Sequence, residues 1–162
     1  MRLEQTPAAS TDVVDRAYAH LTIKSRHLTP EQMVDLVGVE PKRRWRIGDE
    51  TSYGPKRAVH EKHGIQYRSR LDENAGGERH LDDLIDFIRV HKTALARITE
   101  HEAVESALLG LWSFSTYGTQ SFSLSPADLE LLAELDVGLW IVCDWDSVAP
   151  DDWRSDTRSR DI

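Results

Sequence analysis

Four stretches of the chain alternate apolar and polar residues with a period of two, the pattern of half-buried β-strands. In RAYAHLTIKS, Ala17, Ala19, Leu21 and Ile23 fall on one face, and Tyr18, His20, Thr22 and Lys24 on the other. In GIQYRSRL, Ile65, Tyr67, Ser69 and Leu71 oppose Gln66, Arg68 and Arg70. AVESALLGLWSFSTYG reads as a long strand, half buried by Trp112 and Phe114, with a turn at Tyr117 and Gly118 into a short strand in TQSFSLS. VGLWIVCDW places Val137, Leu139, Ile141 and Cys143 on one side. The strands are expected over residues 17–25, 64–71, 107–116 and 137–143.

Three other stretches carry a helical period. In LTPEQMVDLVG, Thr29 suits the N-cap, Pro30 the first helical position and Gly38 the terminator, because a hydroxyl caps free N–H groups, proline has no N–H to lose there, and glycine tolerates the left-handed turn. Met33, Leu36 and Val37 then share a face. The longest helix is expected over residues 80–100, with Leu81, Leu84, Ile85, Ile88, Leu95 and Ile98 in one stripe. SPADLELLAEL repeats the first design, with Ser125 as cap, Pro126 next, and Leu129, Leu132 and Ala133 as the buried face. The echo between HLTPEQMVDL and SLSPADLELL suggests two related βα units. Together the elements predict an α/β (α+β) two-layer sandwich: a mixed or antiparallel sheet of about five or six strands, with three helices packed on it.

Residues 47–63 have no periodicity and read as a long loop, a feature often functional or mobile. Residues 1–14 read as a flexible N-terminal arm, 15–146 as a single domain, and 147–162 as a polar, acidic tail. A length of 162 residues suits one domain able to bury a core without staples. Cys143 is the sole cysteine, so an internal disulfide is excluded. No apolar run has the length of a membrane span, and the N-terminus lacks the apolar core of a signal peptide. The expected location is the cytoplasm, with no membrane partner.

Charge sharpens the picture. The formal net charge is −8, yet residues 41–70 hold nine Lys or Arg against three Asp or Glu, a net of +6, which leaves −14 on the remainder. A duplex needs many phosphate contacts and would be repelled by that remainder, so extended nucleic acid is not expected. A small anion or an acidic protein surface fits the basic region better.

The centre of that region is EPKRRWRIGDE, residues 40–50. If it is extended, Arg43, Trp45 and Ile47 point one way, with Trp45 and Ile47 capping the core, while Arg44 and Arg46 face water. The functional alternative gathers Arg44, Arg46, Arg68 and Arg70 into an anion-binding face, with Trp45 beside them and Gly48 and Asp49 in the adjoining turn. The candidate ligand- or partner-binding residues are therefore Arg44, Trp45, Arg46, Gly48, Asp49, Arg68 and Arg70.

Catalytic chemistry finds less support. His60 and His63 in HEKH are three apart in a loop, without the spacing of a zinc-protease helix. Cys143 reads as a small buried hydrophobe. Asp82, Asp83 and Asp86 complement a helix dipole more simply than they form an acid–base pair. There is no nucleophile elbow, Walker loop or dinucleotide fingerprint, and AGG at 75–77 is too short to cradle phosphates. No catalytic residue, metal ligand or cofactor is assigned.

Residues 18–49 resemble the start of a bacterial family, the domain of unknown function 4279. The resemblance rests on Thr29-Pro30-Glu31, on Leu36-Val37-Gly38-Val39-Glu40-Pro41, on Trp45 and on Gly48-Asp49. GIQY and FSLSPADLELLAEL resemble the family's middle and end, so the likeness covers about residues 17–144. The Lys42-Arg43-Arg44 cluster departs from the small or hydroxyl residue expected after that proline. The resemblance implies an α/β sandwich with ferredoxin-like pieces, no established activity and, by analogy, an immunity-like role. The expected function is a non-catalytic module that binds another protein. The alternative is a small-anion or nucleotide-binding protein using the basic 42–70 region, with weak enzymatic activity at most.

Overall fold

The computed structural model describes residues 16–51, 58–115 and 121–144. The expected N-terminal arm, the acidic tail and the turn at Tyr117 and Gly118 lie outside these residues.

A five-stranded mixed sheet is built from β1 (Arg16–Ser25), β2 (Arg43–Trp45), β5 (His63–Arg68), β6 (Val104–Phe114) and β7 (Val137–Asp144), in the order β2-β5-β1-β6-β7. Between β2 and β5, β3 (Glu50–Thr51) and β4 (Ala58–Val59) pair as a separate two-stranded ribbon. The helices are α1 (Pro30–Val37), α2 (Gly77–Val90), α3 (Lys92–Thr99) and α4 (Pro126–Glu134). β1 is antiparallel to both β5 and β6, β2 is antiparallel to β5, and β7 lies parallel to β6 across α4. Without α4 and β7, the chain runs β1-α1-β2-β5-helices-β6 with strand order β2-β5-β1-β6. That is the split βαβ plan of ferredoxin-like domains, as the resemblance implied. The α4–β7 unit extends it by one strand.

The two short capped helices follow their sequence signals. Gln32 N donates to Thr29 Oγ1 at 3.3 Å and Thr29 N donates to Gln32 Oε1 at 2.8 Å, a reciprocal capping box. Gly38 closes α1 with φ +72°, a conformation that disfavours a side chain. Ser125 and Asp128 form the same box on α4, with Ser125 Oγ accepting from Asp128 N at 3.2 Å.

All four helices pack on one face of the sheet. Ala19, Leu21, Ile23, Ile65, Tyr67, Leu109 and Leu111 meet Met33, Val37, Leu81, Leu84, Ile88, Leu95 and Ile98 in one buried cluster. Each large side chain in that cluster contributes ~1.5–3 kcal/mol by leaving water.

Several details differ from the sequence reading. The helix expected over 80–100 is two helices that meet at His91, whose φ of −100° and ψ of 16° are not helical. The apolar spacing passes through the break in phase, so the pattern carries no sign of it. α4 buries Leu131, Leu132 and Leu135 and exposes Leu129 and Ala133. Three leucines within four positions leave the phase of so short a helix undetermined. Residues 121–125 contain no strand. Within the expected 47–63 loop, the described residues include the β3–β4 ribbon; 52–57 lie outside the description. Cys143 is exposed rather than buried, because β7 is an edge strand and burial on its helix side falls away after Val137.

Candidate functional site

The candidate residues from the basic stretch do not all gather in one place, although Arg68 and Arg70 both line a cavity beside α2 with Lys42. Arg44 falls on the helix side of β2, in the row that runs through Ile65 and Ile23, and lies 3.5 Å from Glu40. Arg46 pairs with Glu31 of α1 at 2.9 Å. Gly48 and Asp49 build a turn: Arg46 N donates to Asp49 Oδ2 at 2.7 Å, and Gly48 N donates to His60 O at 2.9 Å. Arg70 is exposed and pairs with Asp83 at 3.3 Å. Trp45 and Arg68 alone among the seven lie on the face of the sheet opposite the helices. Trp45 is buried as expected, but outside the helix-side core, and Ile47 is exposed instead of capping it.

That open face carries the most distinctive chemistry of the described residues. Strand register sets its side chains in rows. Arg43, Gln66, Thr22, Leu108 and Gly138 form one, and Trp45, Gly64, Lys24 and Ser106 the next. On the other side come Arg68, His20, Gly110 and Trp140, then Tyr18, Trp112 and Val142. Two glycines hollow the floor. A Cβ at Gly64 would lie 2.1 Å from Trp45 Cζ2, and one at Gly110 would lie 2.7 Å from His20 Nε2. The indole and the imidazole therefore lie flat on bare backbone. The hollow is a cavity of about 700 Å³, within the size range of small-molecule sites.

Aromatic rings line this face as a connected set. Tyr18 stacks with His20 at 6.0 Å and with Trp112 at 6.1 Å, and Trp112 meets Trp140 edge-on at 5.1 Å. His60, just after β4, stacks on Trp45 at 4.8 Å. Cations sit over two of the rings, Arg68 at 4.7 Å from the Tyr18 centroid and Arg43 at 5.6 Å from that of Trp45. Gln66 Nε2 donates to Thr22 Oγ1 at 3.0 Å across the centre.

His20 and Trp45 line the cavity, and each buries a polar atom, Nδ1 and Nε1, that has no hydrogen-bond partner among the described residues. His20 is 9% exposed and Trp45 6%. An orphaned buried donor or acceptor costs ~1–3 kcal/mol, so a partner for these atoms, from water or from a ligand, is favourable. Burial lowers the His20 pKa to about 4, and the charges of Arg68 and Lys24 press the same way, so the ring is neutral at pH 7. The same positive field favours an anion. Glu105 also borders the cavity, but Lys62 hydrogen-bonds it and Arg26 lies 3.8 Å away, which holds its carboxyl below the usual range.

Other constellations are already engaged. Ser69 Oγ lies 2.8 Å from His80 Nδ1, with His80 Nε2 3.0 Å from Asp72 O. Both side chains are buried, so this pair braces α2 against the end of β5 and no substrate reaches it. His63 Nδ1 accepts from Ile47 N at 3.2 Å. Among the described residues no group of His, Cys, Asp or Glu could hold a metal ion. A second cavity of about 630 Å³ lies beside α2, but the Tyr67 hydroxyl donates to Val39 O at 2.9 Å and Asp83 is held by Arg70.

The sequence reading missed Tyr18, His20, Lys24, Arg43, Trp112 and Trp140 as members of one site. A signal was present. These residues occupy the non-core parity of their strands, and aromatic residues there mark a face that helices leave open.

The fold and this face define a ferredoxin-like α+β protein with an aromatic sheet surface that none of the described helices covers. The chain belongs to the family described as Domain of unknown function (DUF4279), which matches residues 15–144. No curated protein and no solved structure matches it. No helix among the described residues is long and apolar enough to cross a membrane.

Proposed function

We propose that this is a binding protein whose open sheet face receives a small anionic ligand with an aromatic body. The observation that carries this reading is that His20 and Trp45 line one cavity, and that His20 Nδ1 and Trp45 Nε1 are buried with no hydrogen-bond partner among the described residues. Lys24 and Arg43 supply charge at the same cavity, and Trp112 and Trp140 supply apolar area. A thermal-shift screen of anionic aromatic metabolites tests it, since a ligand that binds only the folded chain raises the melting temperature. Ligands should stabilise the wild type and lose that effect in Lys24→Ala. A shift that survives unchanged in Lys24→Ala and Trp140→Ala would place binding elsewhere.

A second reading, a bacterial, cytoplasmic, immunity-like module that binds another protein, has one observation in its favour. β7 is a sheet edge with Leu139, Trp140 and Ile141 at 37%, 47% and 38% exposure. Such an edge offers backbone groups and apolar side chains to an added strand. A Leu139→Lys variant that loses a co-purifying partner while retaining small-ligand binding would favour it.

A further inference from the structure

The two ends of the cavity differ, and the difference narrows the ligand. At one end Trp112 and Trp140 meet beside a neutral imidazole. At the other, Lys24 and Arg43 line the cavity with Trp45, whose indole N–H only donates, and the Arg43 guanidinium lies 5.6 Å from the Trp45 ring centroid. His20 and Lys24 stand four residues apart on β1, and Lys24 pairs with Gly64, on which the Trp45 ring lies. At the strand rise this separates the ends by roughly 13 Å. A single ring cannot meet both. A simple aromatic acid would also leave His20 Nδ1 against a ring edge without polar atoms. The guest needs a heterocycle with hydrogen-bonding edges, a polar middle to face Gln66 and Thr22, and an anion at the far end.

We propose that the ligand is a nucleotide, with its base against Trp112 and Trp140 beside His20 and its phosphate between Lys24, Arg43 and Trp45. This rests on the reading that the open face binds a small anion, and it names the class. Stacking on the exposed Trp140 tolerates any base, since every base has a π-face. Base choice falls to His20 Nδ1, which as part of a neutral ring presents either a donor or an acceptor. Trp45 Nε1 and the two cations are suited to phosphate oxygens.

Isothermal titration of the full chain with adenosine, guanosine, cytidine and uridine, and with their mono- and diphosphates, tests the assignment. Indole-3-acetate and inorganic phosphate serve as partial ligands. Nucleotides should bind at least about tenfold more tightly than the matching nucleosides, because the phosphate end supplies charge-assisted hydrogen bonds. Lys24→Ala should shrink that difference several-fold and affect nucleosides much less than nucleotides, whereas Trp140→Ala should weaken nucleosides and nucleotides alike. Both positions are exposed, so the variants should fold, which circular dichroism verifies. Binding of indole-3-acetate without any nucleotide would overturn this inference and leave the anion-binding function standing. No binding by any compound would overturn both. Nucleotide binding that neither variant alters would overturn the placement.

Discussion

The two faces of the sheet are made by the same strands yet solve burial in opposite ways. On β1, Ala19, Leu21 and Ile23 are covered by helices, and their apolar side chains ask for no partners. On its other side Tyr18, His20 and Thr22 are almost as buried, but by neighbouring side chains on a floor thinned by glycine. The helix face is finished by packing. The open face retains polar atoms that packing leaves unanswered, and that contrast separates a structural surface from a receptive one.

The largest effect should come from breaking the helix face. Leu84→Asp sets a carboxylate against the sheet without a partner, and such a change costs ~3–5 kcal/mol. Urea unfolding should then show a much lower midpoint or no cooperative transition. A variant as stable as the wild type would mean that this face is not the core.

The open face should answer to pH instead. His20 titrates near 4 in the folded chain against an ordinary 6.5. Between those values the unfolded chain binds the proton first, so stability is full above about 6.5, falls as pH drops toward about 4, and then levels off. The loss is at most roughly 3 kcal/mol at 1.4 kcal/mol per pKa unit. Burial also lowers the pKa of His80, which adds to the same slope. Comparing urea midpoints at pH 4.5 and 7 in wild type and His20→Gln isolates the first term. An equal slope in both proteins would remove His20 from the account.

The smallest effect should come from the arginines on neither face's interior. Arg44→Ala with Arg46→Ala removes two exposed ion pairs, worth ~0–1 kcal/mol each. Stability and nucleotide affinity should both stay near wild type in the double variant. A large loss of affinity would redraw the site around the basic stretch.

The helix face was the legible one. Its signals are local: alternation along β1, a hydroxyl–proline start for α1 and α4, and a leucine–isoleucine stripe from Leu81 to Ile98. The alternation of Arg43 and Trp45 against Arg44 was legible as well, but its sides were reversed: Trp45 lies on the open face and Arg44 on the helix side. The open face was less legible because its parts come from five strands and depend on register. His20 and Gly110 meet only because residues 20 and 110 pair, and no periodicity within either segment encodes that pairing. Edge exposure at Cys143 is likewise a property of strand order, which hydropathy does not report.

The position of β1 at the centre of the sheet also governs how the chain emerges during synthesis. Arg16 pairs with Phe114, so one side of the central strand waits for a partner nearly the whole domain away. Ribosomes add ~5–20 residues per second, which leaves that edge of β1 unpaired for several seconds or more in every new molecule. A strand with apolar residues on alternate positions and an open edge is a template for association in that interval. On β1 and beside it, that open edge carries His20, Lys24, Arg16 and Arg26. Polar and charged side chains along such a strand oppose its pairing with other chains in that interval.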